Sequence, residues 1–274
     1  MRISYVDVGN GPVVVLLHGL AHSIHGWRKN IGPISAAGYR VMAIDLPGFG
    51  YSDVPPDFTL ETYRAVLREW LDLHCVDRAV VVGNSMGGLI SASFAGVHSD
   101  RVSAAVLVDP AGFGREMAWL LRLAGTGLGR LLTPRTLRPR QVRRGLRFVY
   151  FDSGLIEDEE VERVIELLSR PEARRAAMRI GRRAASLRGF RPGMGLGDLP
   201  EVIPVPTLIL WGDHDRVIPV SHLERVQAVA RDAEVTIVER CGHCPMMEVP
   251  GAFNQRVVRF LREQGIEEVP VSTG

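Results

Sequence analysis

Strand-length apolar runs recur along this chain, and stretches with helical periodicity separate several of them. Runs without polar alternation predict strands buried on both faces, and such strands occur in parallel sheets covered by helices. A chain of 274 residues can bury one large core of this kind. The sequence therefore predicts an α/β fold. The predicted strands are residues 13–17, 40–44, 79–82, 104–108, 207–211 and 235–238, and the predicted helices are residues 59–73, 88–97, 221–231 and 252–264.

Two parts of the chain depart from this pattern of apolar runs. Residues 3–8 come closer to alternation, which predicts an antiparallel strand at the edge of the sheet. Between residues 113 and 203 helical patterns continue without a convincing strand. We therefore expect a core formed by residues 1–112 and 204–274, with residues 113–203 inserted as a helical cap.

Charge and apolar content limit the class of partner. A formal net charge of +2 is too small to predict a nucleic-acid partner. Residues 113–203 contain 18 arginines and 11 acidic residues, which we interpret as a solvated helical surface. The first residues lack the features of a signal peptide, and no apolar run approaches the ~20 residues that span a bilayer. We expect a cytoplasmic protein without stable membrane insertion, and no pattern here specifies an oligomeric state.

The segment Gly83-Asn84-Ser85-Met86-Gly87 follows an apolar strand and precedes a helix-like stretch. In that context a Gly-x-Ser-x-Gly segment predicts a sharp turn that holds the serine at a strained apex with its hydroxyl exposed. The glycines leave room for the turn because they carry no side chain. Ser85 is therefore a candidate nucleophile, which points to a serine hydrolase.

A serine nucleophile needs a base within hydrogen-bond reach and a carboxylate that orients the base. Two polar segments that follow predicted strands supply candidates, because open α/β sheets bind ligands at the C-terminal ends of their strands. His243 lies in the second segment, and Asp213 and Asp215 lie in the first. Asp109, at the end of an earlier strand, is a third candidate acid.

These motifs, in this order, resemble the α/β-hydrolase superfamily, from His18-Gly19 to the helix after His243. Residues 45–52, Asp-Leu-Pro-Gly-Phe-Gly-Tyr-Ser, are similar to the loop that follows the fourth strand in these enzymes. The resemblance implies an α/β-hydrolase fold, with a mostly parallel sheet, helices on both faces and an inserted helical cap.

The resemblance also implies roles for the candidate residues. Ser85 is then the nucleophile, His243 is the general base and later the general acid, and Asp215 orients His243. Asp215 is preferred because it precedes Arg-Val-Ile-Pro, as the acid of the family does. Asp213 is then expected to cap its loop by local hydrogen bonds. Asp109 is kept as an alternative because some relatives carry their acid at that strand end.

The oxyanion hole is expected to use the backbone amides of Met86 and Leu20, and the substrate pocket to lie between Ser85 and the cap. Residues 117–121 form a short apolar run that we expect to pack over the active site rather than to touch a membrane. The residues expected to line the pocket are Ala21, Trp27, Asn84, Phe113 and Trp119.

The chain contains histidines and cysteines that could suggest a metal or redox centre. Cys241 and Cys244 flank His243, but further ligands at zinc-site spacing are missing from the sequence. The histidines between residues 18 and 25 have no accompanying carboxylate cluster, and His18 resembles the structural histidine of the family. Residues 83–88 lack the pattern of a nucleotide-binding loop. We therefore predict no metal, no cofactor and reduced thiols.

The first hypothesis for function is hydrolysis of a small-molecule carboxylic ester through an acyl-enzyme. A serine in the elbow argues against the haloalkane dehalogenases and epoxide hydrolases of this fold, which use an aspartate there. A hydrolase-like ligand receptor is a further alternative that no feature of the sequence favours.

The second enzymatic hypothesis is hydrolysis of a carbon–carbon bond in 2-hydroxy-6-oxo-dienoates. The elbow Gly-Asn-Ser-Met-Gly-Gly resembles that of the meta-cleavage product hydrolases, and residues 212–219 and 241–243 are similar too. Two features depart from that family: Cys244 replaces a tryptophan, and residues 20–22 replace a glycine-rich loop. The cap arginines that could bind the substrate carboxylate are Arg182, Arg183 and Arg188.

Overall fold

A central sheet organises the protein, for which the computed structural model describes residues 1–116, 137–186 and 188–267. The strands are β1 (Tyr5–Val8), β2 (Val13–Leu17), β3 (Arg40–Ile44), β4 (Ala79–Asn84), β5 (Val102–Val108), β6 (Ala185–Ser186), β7 (Gly189–Phe190), β8 (Thr207–Gly212) and β9 (Glu234–Val238). Seven of them form one sheet in the order β1-β3-β2-β4-β5-β8-β9. β1 is antiparallel to β3, and the other neighbours are parallel.

The described residues form nine α-helices, and some of them cover the two faces of the sheet. They are α1 (Ile31–Ala36), α2 (Leu60–Leu73), α3 (Met86–Val97), α4 (Pro139–Val149), α5 (Asp158–Ser169), α6 (Pro171–Ala184), α7 (Leu223–Val229), α8 (Pro245–Glu248) and α9 (Pro250–Glu263). No helix among the described residues has the length and apolar content needed to cross a membrane.

Alternation along the central strands divides the core into two layers. Val15 and Leu17 of β2 belong to an apolar cluster shared with α2, α3 and α7, whereas Val14 and Leu16 belong to a cluster shared with α1 and α9. All four side chains are fully buried, and burial of each contributes about 1.5–3 kcal/mol. This two-sided burial explains why the central strands lack polar alternation.

The structure confirms the predicted α/β-hydrolase architecture. The predicted strands are present, most of them with ends extended by one or two residues, and the N-terminal segment forms the antiparallel edge strand. α1 was not predicted, because Gly32-Pro33 suggests a turn although proline is tolerated in the first turn of a helix. The expectation of no strand between residues 113 and 203 is wrong in detail: β6 and β7 pair there, each too short to produce a sequence pattern.

The segment between β5 and β8 contains α4, α5, α6 and the β6–β7 hairpin. Two predicted features of this segment, Trp119 and the apolar run 117–121, lie outside the described residues. The division into a core and a cap at residues 113 and 203 stays a prediction.

Candidate active site

Ser85 lies at the turn between β4 and α3, with backbone angles φ 57° and ψ −116°. This left-handed conformation is strained for a serine. Neighbouring backbone fixes it, because the Ser85 amide donates to the Val108 carbonyl over 2.9 Å. A side chain at position 83 would collide with the backbone of Gly87, and one at position 87 with the Leu17 carbonyl. The two glycines are therefore a steric requirement of the turn.

His243 and Asp215 form a buried pair. His243 Nδ1 lies 2.6 Å from Asp215 Oδ2. Asp215 Oδ1 also accepts hydrogen bonds from the backbone amides of Val217 at 2.7 Å and Ile218 at 2.9 Å. Because the carboxylate accepts, Nδ1 carries the hydrogen and Nε2 is left with a lone pair. This tautomer is the one that a general base next to a serine requires.

Asn84 joins the serine turn to the histidine loop. Its side-chain amide donates to the backbone carbonyl of His243 over 3.0 Å, and Asn84 directly precedes Ser85. Neither the Ser85 hydroxyl nor His243 Nε2 forms a hydrogen bond within the part of the chain that the structure describes. Both groups are thus available to a substrate.

The two other candidate acids have different surroundings. Asp213 Oδ1 accepts from the Cys241 amide at 3.1 Å and lies 2.7 Å from His214 Nδ1, so this residue caps its loop. Asp109 is fully buried and accepts from the Gly212 amide at 2.9 Å. Of the three carboxylates, Asp215 is the one bonded to His243.

The loop after β2 lies close to Ser85. A side chain at Gly19 would begin 3.2 Å from Ser85 Cβ, so the backbone of this loop lies directly against the nucleophile. Leu20 follows Gly19, and Met86 is the first residue of α3. Helix N-termini present free amides and a positive dipole end, which suits an oxyanion. The assignment of the Leu20 and Met86 amides to an oxyanion hole stays a prediction.

His18 connects the start of this loop to the loop after β3 by hydrogen bonds. Its Nδ1 lies 2.7 Å from the Gly19 carbonyl, and its Nε2 accepts from the Leu46 amide at 2.9 Å. Burial lowers the pKa of His18 to about 4, so the ring is neutral at neutral pH. A neutral ring matches this arrangement, in which one nitrogen donates and the other accepts.

The residues predicted to line the pocket are only partly brought together. Trp27 has no exposed surface and packs against Phe253 of α9, so the structure places it in the core and not on a pocket wall. Asn84 uses its amide on the backbone, as described above. Ala21 follows Leu20 in the loop with φ 59°, and Phe113 joins the cluster that includes α3.

The sequence did not indicate that two further carboxylates are buried and hydrogen-bonded. Glu248 of α8 accepts from the Gly242 amide at 2.9 Å and the Phe151 amide at 2.7 Å, and so fixes the residue before His243. Glu160 of α5 accepts from the Tyr150 hydroxyl at 2.6 Å. For Glu248, the sequence contains one indication of a buried polar role: it is the single acidic residue in the apolar segment Pro-Met-Met-Glu-Val-Pro.

Comparisons with known proteins agree with this geometry. Residues 12–250 match a family model described as the alpha/beta hydrolase fold. Over 268 residues the chain is 32% identical to a 2-hydroxy-6-oxo-6-phenylhexa-2,4-dienoate hydrolase of Burkholderia cepacia, covering 95% of this chain and 91% of that enzyme.

Similar solved structures include two hydrolases. One is a meta-cleavage product hydrolase from Pseudomonas fluorescens IP01, with a TM-score of 0.78, 27% identity and coverage of 95% of this chain and 94% of that chain. The other is a membrane phospholipase A described as a bacterial virulence factor, with a TM-score of 0.79, 28% identity and coverage of 96% and 83%. With the sheet order and the family match, these similarities show that the chain belongs to the α/β-hydrolase fold family and is a hydrolase.

Proposed function

We propose that this hydrolase cleaves a carbon–carbon bond in 2-hydroxy-6-oxo-dienoates, with Ser85 as nucleophile. The observation that carries the proposal is the 32% identity, over 95% of the chain, to an enzyme named for such a substrate. The sequence alone favoured ester hydrolysis. It becomes the second candidate because relatives that match 95% or more of this chain are named as 2-hydroxy-6-oxo-6-phenylhexa-2,4-dienoate hydrolases.

The acid–base pair supports attack by Ser85. His243 Nε2 takes the serine proton, and Asp215 stabilises the imidazolium that results. The Asp215 carboxylate is held by two backbone amides and is buried, so it keeps its orientation while the charge on His243 changes. The amides of Leu20 and Met86 receive the negative charge on the substrate oxygen, each contributing about 3 kcal/mol to the transition state.

A carbon atom bonded to a ketone can be a leaving group only if its electron pair is delocalised. In the 2-oxo tautomer of the dienoate, Ser85 Oγ attacks the C6 carbonyl and a tetrahedral oxyanion forms. The C5–C6 bond then breaks, its electron pair moves into the conjugated 2-oxo acid as an enolate, and the proton on His243 moves to that fragment. Water activated by His243 hydrolyses the acyl-enzyme and releases the carboxylic acid.

A carboxylic ester is the second candidate substrate. The arrangement of the cap arginines favours it, because Arg182 and Arg188 are exposed and Arg183 donates to the Phe58 carbonyl over 3.2 Å. None of these three cations contacts the Ser85 turn in the described structure. A dienoate carboxylate needs such a partner, whereas an ester does not. The similar phospholipase A structure agrees with this alternative.

Steady-state and stopped-flow turnover of 2-hydroxy-6-oxo-6-phenylhexa-2,4-dienoate, beside p-nitrophenyl esters of graded acyl length, tests the proposal. We expect a higher kcat/KM for the dienoate than for any ester, and loss of both activities in Ser85→Ala. Faster cleavage of the esters would reverse the order of the two candidates. Saturable binding without turnover of either class would contradict both and favour a ligand receptor.

A further inference from the structure

Asp109 is a buried carboxyl group that the proposed triad does not use. It directly follows β5, with φ 44°, and its amide donates to the Leu210 carbonyl over 2.9 Å. The side chain is fully buried. Oδ1 accepts from the Gly212 amide, but Oδ2 has no hydrogen-bond partner among the described residues. A buried, unpartnered carboxylate oxygen is costly and requires an explanation.

The unpartnered group lies beside the triad. One oxygen of Asp109, one oxygen of Asp215 and one ring nitrogen of His243 lie within 4.8 Å of one another. An ionised carboxylate has about four acceptor positions. Asp215 uses two on Oδ1 for the amides of Val217 and Ile218, and one on Oδ2 for His243. One acceptor position on Asp215 Oδ2 therefore stays open.

The surroundings of Asp109 favour its neutral form. The titratable groups that face it are Asp215 after β8, His243 and the thiols of Cys241 and Cys244 in the loop after β9, and Glu248 of α8. Burial raises the pKa of Asp109 well above its usual range, and the Asp215 carboxylate raises it further. Two carboxylates this close in a buried site cannot both be charged without a large electrostatic cost.

We propose that Asp109 is a positioning residue that carries a proton and donates it in a hydrogen bond to Asp215 Oδ2. The inference rests on the proposed Ser85–His243–Asp215 mechanism. Asp109 then fills the open acceptor position of Asp215 and keeps that carboxylate aimed at His243. The two acids form one singly charged unit behind the histidine. If Asp215 loses its charge, Asp109 is the carboxyl group that can ionise in its place near His243.

The protonation state of Asp109 can be measured without any substrate. In the full-length protein labelled with [γ-13C]aspartate, the signal that disappears in Asp109→Asn belongs to Asp109. We expect this signal to have the chemical shift of a protonated carboxyl group at pH 7, whereas the signal assigned by Asp213→Asn is that of a carboxylate. An Asp109 signal that is ionised at pH 7 overturns the proposal.

Kinetics then test the positioning role on whichever substrate the wild-type protein hydrolyses. Asp109→Ala removes the hydrogen bond to Asp215 and should lower kcat by about tenfold. Asparagine can accept from the Gly212 amide and donate to Asp215, so Asp109→Asn should restore most of that loss. In the Asp215→Asn background the same substitution removes the remaining carboxyl group, and we expect a further loss of about tenfold or more. Equal effects of Asp109→Asn in both backgrounds overturn the proposal.

The two experiments separate the failure of this inference from the failure of the proposed function. If the wild-type protein hydrolyses neither substrate class, the proposed function fails. The 13C chemical shift of the Asp109 carboxyl group still shows whether Asp109 is protonated. If the enzyme is active and Asp109 is ionised, only the inference fails.

Discussion

Carboxylates in two regions of this molecule are held in different ways. At the C-terminal edge of the sheet, Asp215 and Glu248 accept hydrogen bonds from backbone amides. In the segment between β5 and β8, Glu160 and Glu157 are held by side chains of other residues. Backbone donors are fixed once the sheet forms, whereas side-chain donors can be lost by a single substitution. We therefore expect substitutions in the first region to change mainly kcat, and those in the second to change mainly KM or stability.

The largest effect is expected at the nucleophile. Ser85→Ala should lower kcat by about a millionfold, because the residues of such a triad act as a unit. Stability should change by less than about 0.5 kcal/mol, since the hydroxyl forms no hydrogen bond within the described residues. Turnover and thermal unfolding of the purified variant measure the two quantities.

A serine on the same helix provides the matched control. Ser91 of α3 is fully buried, and its hydroxyl has no hydrogen-bond partner in the described structure. Ser91→Ala should therefore keep full activity and leave stability unchanged or slightly raised. If both variants lost activity equally, the effect at Ser85 would be structural and the proposed nucleophile would be wrong.

The next effect is expected at the carboxylate that fixes the histidine loop. Glu248→Ala leaves the buried amides of Gly242 and Phe151 unpaired, at a cost of about 1–3 kcal/mol each. The resulting displacement of His243 should lower kcat by about 100-fold. Chemical denaturation and turnover check both effects. Glu263→Ala on the exposed face of α9 is the control, and similar losses there would show that Glu248 has no special role.

The difference between the two regions also explains what the sequence could predict. The apolar runs and the Gly-x-Ser-x-Gly segment are local patterns. The first predicted the strands, and the second predicted the turn between strand and helix at which Ser85 lies. The choice of Asp215 over its rivals needed a resemblance to known enzymes, because local spacing places both Asp213 and Asp109 at strand ends as well. The bond between His243 and Asp215 in the structure is consistent with that choice.

Contacts between distant segments could not be predicted in the same way. Trp27 was expected at the pocket, but its burial depends on Phe253, more than two hundred residues away in the sequence. Glu248 lies on a single helical turn, α8, that has no periodic pattern. Its role depends on the end of α4, which places the Phe151 amide beside it.

A moderate effect is expected where α5 meets the loop after β2. Glu160 accepts from Tyr150, lies 3.7 Å from Arg28 Nη2 and lies 4.0 Å from His22 Nε2. Glu160→Gln removes this buried charge and should lower stability by about 2 kcal/mol. Glu160 contacts none of Ser85, His243 and Asp215 among the described residues, so KM should rise while kcat changes little. A fall in kcat without a change in KM would contradict the assignment of this region to substrate fit.

The smallest effect is expected at Glu157, whose half-exposed carboxylate pairs with Lys29 and Arg28, each at 2.6 Å. Hydrogen bonds from these two cations lower the pKa of Glu157 to about 2. A lowered pKa means that the stabilisation is complete at neutral pH and disappears as the pH falls from about 4.5 towards 2. Solvent and salt screen an exposed pair, so Glu157→Gln should cost less than about 1 kcal/mol at pH 7. Urea denaturation of both proteins at pH 7 and pH 3, in low and high salt, measures this cost. A difference that survives at the lower pH or in 1 M salt would mean that Glu157 acts through packing and not through its charge.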